Sequence, residues 1–148
     1  MILNNEFMRN HIIHIKSRLS GVGIMIEQLA KMCKEWTIDK DVAFGMNLAL
    51  EEIVTNIIQH GYNNREECDI TIRFSLDKHN LRIQIKDTAP EFNPINVPEP
   101  DDLNKPLEER TIGGLGIHLV KKFTDNLEYR RTNSKNVTTL LKSINNGN

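Results

Sequence analysis

The stretch LALEEIVTNIIQHGY, residues 48–62, decides the fold, because one helix here carries both a core-facing stripe and polar side chains at its border. At 100° per residue, four apolar residues fall on one line along this helix: Met46, Leu50, Ile53 and Ile57. Asp39 is the predicted N-cap, and Gly61 is the predicted stop. The pattern therefore predicts an amphipathic helix that runs from about Asp39 to His60 and packs its stripe into a core.

Glu52 and Asn56 are the polar side chains at that border. They lie four residues apart, so they stack along one edge of the stripe, while Glu51 lies on the opposite edge. A carboxylate and a carboxamide at the edge of a core can face a cavity together. There an oxygen ligand can hold Mg²⁺ and a carboxylate can accept a proton. The alternative is that both are ordinary boundary residues in solvent.

The rest of the chain reads as alternating strands and a second amphipathic segment. Apolar spacing predicts a helix over about 24–36, a third helix follows a glycine cluster and ends near Phe123, and alternation predicts strands at 6–16, 69–76, 81–87, 127–131 and 137–142. These elements predict an α/β two-layer sandwich. Its sheet would be mixed but mostly antiparallel, with three helices on one face. The 148 residues suit one domain.

Asp87 ends the strand LRIQIKD, and it shares its parity with the apolar residues Leu81, Ile83 and Ile85. An inward carboxylate at a strand end needs a hydrogen-bond donor. An adenine amino group is one donor of the right kind. The alternative is a loop cap, in which Asp87 accepts backbone N–H groups of its own turn.

Two segments after Asp87 lack the patterns of regular structure. All five prolines lie between residues 88 and 112, which predicts a long functional loop or lid. Gly113, Gly114 and Gly116 then open a third helix, where backbone N–H groups and the helix dipole favour an anion. Glycine also simply makes tight turns, which is the alternative. The sequence contains neither a P-loop motif nor the H-R-D and D-F-G motifs of eukaryotic-type kinases.

Composition excludes several classes of protein. The formal net charge of −1 argues against a general nucleic-acid binder. Cys33 and Cys68 are far apart and support neither a zinc site nor a disulfide framework. The apolar clusters of the first residues are broken by polar ones, and no later run approaches the length of a membrane span. We therefore expect a cytoplasmic protein without a membrane partner.

Taken in order, these sites resemble the GHKL ATPase/kinase superfamily. LALEEIVTNIIQHGY resembles the N-box of the bacterial anti-sigma factor serine/threonine kinases, IKDTAPEFNP their first glycine box, and GGLGIHLVKKFTDNLEYRR their second. The resemblance covers nearly the whole chain. It implies a Bergerat-type ATP-binding fold over residues 1–148, with an ATP lid at about 88–112, and it implies ATP and Mg²⁺ as cofactors.

The resemblance also implies roles for individual residues. Glu52 would be the general base toward a protein hydroxyl, Asn56 the Mg²⁺ ligand, and Asp87 the acceptor of the adenine amino group. Ala89 would approach the adenine through its backbone. At the phosphate end the implied residues are Arg110, Gly113, Gly114, Leu115 and Gly116.

One motif departs from the family pattern Asp-x-Gly-x-Gly. This chain reads Asp87-Thr88-Ala89-Pro90-Glu91 instead. Ala89 adds a methyl group where close backbone approach is expected, and it needs a negative φ. We therefore expect nucleotide binding that is weaker or altered, but not absent.

The function that the resemblance implies is that of an anti-sigma regulatory factor. Such a kinase phosphorylates an anti-sigma-factor antagonist and competes for a sigma factor. Members are often homodimers, although no residue of this sequence indicates one. The alternatives are a non-catalytic, nucleotide-responsive module that sequesters a sigma factor or another regulator, and an orphan histidine-kinase catalytic domain. The second lacks room for a dimerising helical hairpin.

Overall fold

The computed structural model describes residues 9–96 and 115–144, which form one sheet covered on one face by helices. The elements in chain order are β1 (Arg9–Lys16), α1 (Leu19–Glu35), α2 (Lys40–Asn56, continued by one wide turn over Ile57–Gly61), β2 (Asp69–Leu76), β3 (Asn80–Asp87), α3 (Leu115–Phe123), β4 (Asn126–Thr132) and β5 (Lys135–Ser143). The predicted two-layer α/β sandwich is therefore confirmed. Residues 97–112, the greater part of the predicted lid, lie outside the described residues.

The described sheet has the strand order β1-β2-β3-β5-β4, and every neighbouring pair is antiparallel. The sequence predicted a mixed but mostly antiparallel sheet; its antiparallel character is confirmed, and the described strands form no parallel pair. The reason lies in the connections. Two helices separate β1 from β2, so the chain crosses the molecule twice before β2 enters the sheet in the opposite direction to β1.

The core lies between the inner face of the sheet and the stripe of α2. Met46, Leu50, Ile53 and Ile57 are all fully buried, as the helical periodicity predicted. The sheet contributes the inward residues of its three first strands, among them Ile13, Ile15, Ile70, Ile72, Phe74, Leu81, Ile83 and Ile85. Burial of such large apolar side chains stabilises a fold by about 1.5–3 kcal/mol each.

The two ends of α2 are set by different means. Asp39 is the N-cap, and its Oδ2 accepts a hydrogen bond from the Asp41 backbone N–H at 3.0 Å. At the other end the last turn widens, and the Tyr62 N–H donates to the Ile57 carbonyl at 2.8 Å. Gly61 is the last residue of this turn. A Cβ there would lie 3.3 Å from Phe92 Cδ2 and 3.4 Å from the Ala89 Cβ, so glycine leaves room for the loop after β3.

The start of α1 approaches the end of β1 closely. A Cβ on Gly21 would overlap the backbone carbonyl oxygen of Lys16, at the end of β1, and a backbone atom cannot move aside easily. Gly23, two residues later on the same helix, has no neighbour within 4 Å of such an atom. The two glycines therefore differ only in what surrounds them.

We predict that Gly21→Ala destabilises the protein by about 1–3 kcal/mol, the usual range for overpacking. Thermal unfolding should then shift down by roughly 2–4 °C per kcal/mol. Gly23→Ala is the matched control, and it should raise stability by about 0.5–1 kcal/mol, because alanine is the better helix former. Equal melting temperatures for the two variants would contradict the close approach of α1 to β1.

Candidate functional site

Asp87 lies at the end of β3, with its side chain directed into the protein and 2% exposed. Its Oδ1 accepts hydrogen bonds from the Asn136 Nδ2 at 2.8 Å and the Ala89 N–H at 3.0 Å. Its Oδ2 is buried and accepts no hydrogen bond from residues 9–96 or 115–144; we call it the open oxygen. The loop cap considered as an alternative is thus present on Oδ1, and the open oxygen is left for another donor.

Burial raises the pKa of Asp87 above its ordinary value, because the charged form loses its water. Three groups oppose this effect: the Asn136 side chain, the Ala89 N–H and the positive charge of Arg131. A buried carboxylate with one unused oxygen is unfavourable for folding alone. A ligand that donates to the open oxygen would remove this penalty.

The loop after Asp87 adopts its conformation without glycine. Ala89 is fully buried, its φ is not in the left-handed region, and its Cβ faces Gly61. Thr88 is held from the other side, where its N–H donates to the hydroxyl oxygen of Tyr62 at 2.8 Å. The methyl group of Ala89 therefore packs against the end of α2.

The carboxylate of Glu52 lies directly against the first turn of α3. A Cβ on Gly116 would overlap Oε1 of Glu52, so only glycine permits this approach. Glu52 is half-buried and Gly116 is half-buried. The tertiary structure thus brings the N-box carboxylate to the glycine-rich helix start, although the two are 64 residues apart in sequence.

Asn56 is 4% exposed, so it is not the solvent-facing boundary residue of the alternative interpretation. Its Nδ2 points to the carbonyl oxygen of Pro94 at 3.5 Å, within the predicted lid of about 88–112. An amide with its nitrogen engaged in this way presents its oxygen in another direction. Asn56 therefore offers a neutral oxygen donor one helical turn beyond Glu52.

Several predicted residues of the phosphate end cannot be placed. Arg110, Gly113 and Gly114 lie outside the described residues, and their roles stay predictions. Leu115 begins α3, and Gly116 occupies its first turn. Of the predicted site residues, the structure therefore places Glu52 with Gly116 on one side and Asp87 with Ala89 on the other, with Asn56 on the same helix as Glu52.

Two residues of β5 belong to this site and were not predicted. Asn136 pairs with Asp87 across the sheet, and Thr138 pairs with Ile85. Both are fully buried, and Thr138 Oγ1 has no hydrogen-bond partner within the described part of the chain. The sequence signal that could have found them is parity. Asn136 and Thr138 share the parity of the buried Leu140, so their polar side chains point to the same inner face of the strand.

These features fit a purine nucleotide. The open oxygen of Asp87 is an acceptor that suits an amino group, and Thr138 Oγ1 on β5 is a second buried polar atom with no partner among the described residues. Gly116 has no side chain of its own in the first turn of α3, where backbone N–H groups favour an anion, and the Glu52 carboxylate lies in the space beside it. Among the described residues no three His, Cys, Asp or Glu side chains cluster closely enough to hold a metal ion. Asn56 alone suits Mg²⁺ that arrives with phosphates, since Mg²⁺ usually keeps few protein ligands.

Comparison with known families decides the identity. The family model for the histidine kinase-like ATPase domain matches residues 15–142, from the last two residues of β1 to the penultimate residue of β5. The chain belongs to the histidine kinase-like ATPase domain family. The resemblance to the GHKL superfamily is thereby confirmed.

Two named relatives are similar to the chain over most of their length. The chain is 35% identical over 117 residues to proteins named serine-protein kinase RsbW from Bacillus mycoides and Bacillus cereus. The aligned residues cover 77% of this chain and 72% of each relative. The crystal structure of the RsbU and RsbW domains of a Mycobacterium tuberculosis protein has the same fold, with a TM-score of 0.64 at 16% identity. That match covers 93% of this chain and 33% of the longer protein.

No helix in residues 9–96 or 115–144 of this ATPase-family chain is both long and apolar enough to span a bilayer.

The raised pKa of Asp87 leads to a prediction about the stability of the protein without ligand. Because the pKa of Asp87 is raised in the folded state, the stability it contributes is present below the ordinary value of 3.8 and is lost as pH rises through the folded pKa. We predict that Asp87→Asn melts at a higher temperature than the wild type at pH 7. The difference should narrow as pH falls toward 3.8.

Asp69→Asn is the control for this measurement. Asp69 is exposed, and its hydrogen bond with Lys16 lowers its pKa, so the sign of its contribution is opposite. This variant should show no gain in melting temperature at neutral pH. A lower melting temperature for Asp87→Asn than for the wild type across the whole pH range would contradict the assignment of a buried charge.

Proposed function

We propose that the chain is an ATP-dependent serine/threonine protein kinase that acts as an anti-sigma regulatory factor. Its substrate would be a serine or threonine hydroxyl of an anti-sigma-factor antagonist. The observation that carries the proposal is the close approach of the Glu52 carboxylate to Gly116, because it puts a base beside the helix start that suits phosphate. Family membership and relatives named serine-protein kinase support the same function.

The adenine base of ATP would bind at the end of β3. In this proposal the open oxygen of Asp87 accepts the adenine amino group, and the buried hydroxyl of Thr138 lies within reach of the same ring. The backbone of Ala89 borders the base. A purine would thereby provide the donor that the buried carboxylate needs.

Asn56 would hold Mg²⁺ by its amide oxygen, and the backbone around Gly113, Gly114 and Gly116, with Leu115 between them, would contact the phosphates. Arg110 would contact the γ-phosphate from the lid. When bound, Mg²⁺-ATP supplies the transferable phosphoryl group, and its Mg²⁺ neutralises part of the negative charge of the phosphates. The glycine backbone adds fixed N–H dipoles, which stabilise developing charge without reorganisation.

Glu52 would act on the incoming protein substrate. Its carboxylate is half-buried and lies at the edge of the core, so it can accept a hydrogen bond from a serine hydroxyl while remaining accessible. It would orient that hydroxyl and take its proton as the new bond to phosphorus forms and the bond from phosphorus to the ADP oxygen breaks, so that ADP leaves. The lid, in which the Pro94 carbonyl lies beside Asn56, would close over the nucleotide.

The partners that follow are an antagonist protein, which is phosphorylated, and a sigma factor, which is sequestered. A cytoplasmic location belongs to the same proposal, and so does a homodimer. One observation favours a second function, a non-catalytic module that binds nucleotide and a regulator: the glycine box is replaced by Ala89, Pro90 and Glu91. The two functions differ in whether a phosphorylated product forms.

The nucleotide site is tested by thermal unfolding with and without Mg-ATP and Mg-ADP. Ligand at about 100 times its Kd should add roughly 2.7 kcal/mol to the free energy of unfolding. The melting temperature should rise accordingly in the wild type, depend on Mg²⁺, and rise much less in Asp87→Asn. No shift at millimolar nucleotide in the wild type would refute the ATP site.

Phosphotransfer is tested with Glu52→Gln, labelled ATP and purified candidate antagonist proteins. We predict that this variant still binds Mg-ATP but transfers phosphate roughly 10²–10⁴-fold more slowly, the usual contribution of a general base. Glu51→Gln is the matched control, because Glu51 lies next to Glu52 on the other edge of α2, and its rate should equal that of the wild type. Unchanged transfer by Glu52→Gln would rule out the role of Glu52. A stable complex between wild type and antagonist with no phosphorylated product would favour the non-catalytic module.

A further inference from the structure

Asn136 is the most densely hydrogen-bonded side chain near Asp87, and the proposed function gives it no role. It lies on β5 with no exposed surface. Its Nδ2 donates to Asp87 Oδ1 at 2.8 Å and to the carbonyl oxygens of Ala89 and Pro90 at 3.2 Å each. One amide group thus contacts both the carboxylate and the backbone of the loop that follows it.

The oxygen of the same amide determines which way it points. Asn136 Oδ1 accepts hydrogen bonds from the Tyr129 hydroxyl, from Arg131 Nη1 at 2.9 Å and from the Phe92 N–H at 3.3 Å. A half-turn of the amide would place its NH₂ group against these three donors. The nitrogen must therefore face Asp87, and the orientation is set by residues on β4 and in the loop.

This orientation determines where the open oxygen of Asp87 points. Oδ1 is held from two directions, by Asn136 and by the Ala89 N–H, so the plane of the carboxylate cannot turn. The open oxygen is then the only part of the carboxylate left to meet a ligand in the described structure. Its direction depends on Asn136 as much as on β3.

The same side chains hold the loop where the family pattern has glycines. Arg131 Nη1 donates to the Ala89 carbonyl at 3.1 Å, and Asn136 engages both that carbonyl and that of Pro90. Ala89 stands at the first glycine position of that pattern and lacks the conformational freedom of glycine, and the ring of Pro90 fixes the backbone at the variable position that follows. The β4–β5 hairpin therefore imposes from outside a loop shape that the family pattern obtains from glycine itself.

We propose that Asn136, oriented by Arg131 and Tyr129, is a positioning residue that aims the open oxygen of Asp87 at the amino group of adenine and so sets the preference for ATP over GTP. The inference rests on the proposed function, since it concerns the same site. Guanine carries a carbonyl oxygen where adenine carries the amino group. A carboxylate oxygen held in place meets that carbonyl as acceptor against acceptor, and sites of this kind discriminate strongly.

The test measures dissociation constants of Mg-ATP and Mg-GTP by calorimetry for the full chain and for Asn136→Leu, which keeps the approximate volume and removes the hydrogen bonds. We expect ATP affinity to fall roughly 10- to 100-fold, the equivalent of a hydrogen bond to a charged group, and GTP affinity to change much less. The preference for ATP should fall by a similar factor. An unchanged ATP-to-GTP ratio would overturn the inference.

Arg131→Met tests a residue that orients Asn136, and Arg130→Met is its matched control. Arg130 is the preceding residue on β4 and is exposed, and alternation along the strand directs it to the opposite face. Arg131→Met should lower the ATP-to-GTP ratio by a smaller factor than Asn136→Leu, and Arg130→Met should leave it unchanged. If Asn136→Leu does not fold, Arg131→Met and Tyr129→Phe provide the test, because each variant leaves two hydrogen bonds to Asn136 Oδ1 in place. Unchanged ATP-to-GTP ratios in both variants would overturn the inference.

A double-variant cycle separates positioning from general support of the fold. If Asn136 acts through Asp87, Asn136→Leu should reduce ATP affinity little further in an Asp87→Asn background. Equal losses in both backgrounds would show that Asn136 acts independently of Asp87 and would overturn the inference. Failure of the proposed function looks different, because the wild type itself would then bind no ATP.

Discussion

The packing of α2 on the sheet is the interaction on which the rest of the molecule depends. Its stripe of Met46, Leu50, Ile53 and Ile57 is fully buried, so the rotation of the helix about its axis is determined by the core. That rotation determines the face on which Glu52 and Asn56 lie, and so brings them to their contacts with Gly116 and Pro94. The site is therefore rigid on the α2 side because the hydrophobic core is rigid.

The opposite side of the site depends on Asp87, a buried carboxylate whose burial is unfavourable for folding. Asp87 is buried at a strand end, its pKa is raised by loss of water, and its open oxygen accepts nothing from the described residues. Such a group persists when the surrounding structure stabilises it enough, and it then becomes a strong acceptor for a ligand. Stability of the free protein and affinity for nucleotide thus oppose each other at this one carboxylate.

The changed glycine box shows how a family pattern can be replaced by another physical solution. Glycine lets a backbone come close to a ligand and adopt unusual angles. Here Ala89 stays out of the left-handed region, its Cβ faces Gly61, and its carbonyl is held by Asn136 and Arg131. The loop is shaped by side chains from a hairpin about 45 residues further along the chain, which is why the motif alone suggested a weakened site.

Local periodicity determined most of the architecture. Alternation and 3.6-residue spacing predicted the strands, the helices and the buried stripe of α2, because each pattern depends on residues a few positions apart. Parity alone predicted that Asp87 faces inward. The order of the strands was decided only in the tertiary structure, because pairing joins residues that are far apart in sequence and no local pattern encodes the neighbour. Placing β5 next to β3 brought Asn136 and Thr138 to Asp87, and packing α3 on α2 brought Gly116 to Glu52. The sequence by itself thus determined which side chains face the core, and tertiary packing decided which of them meet.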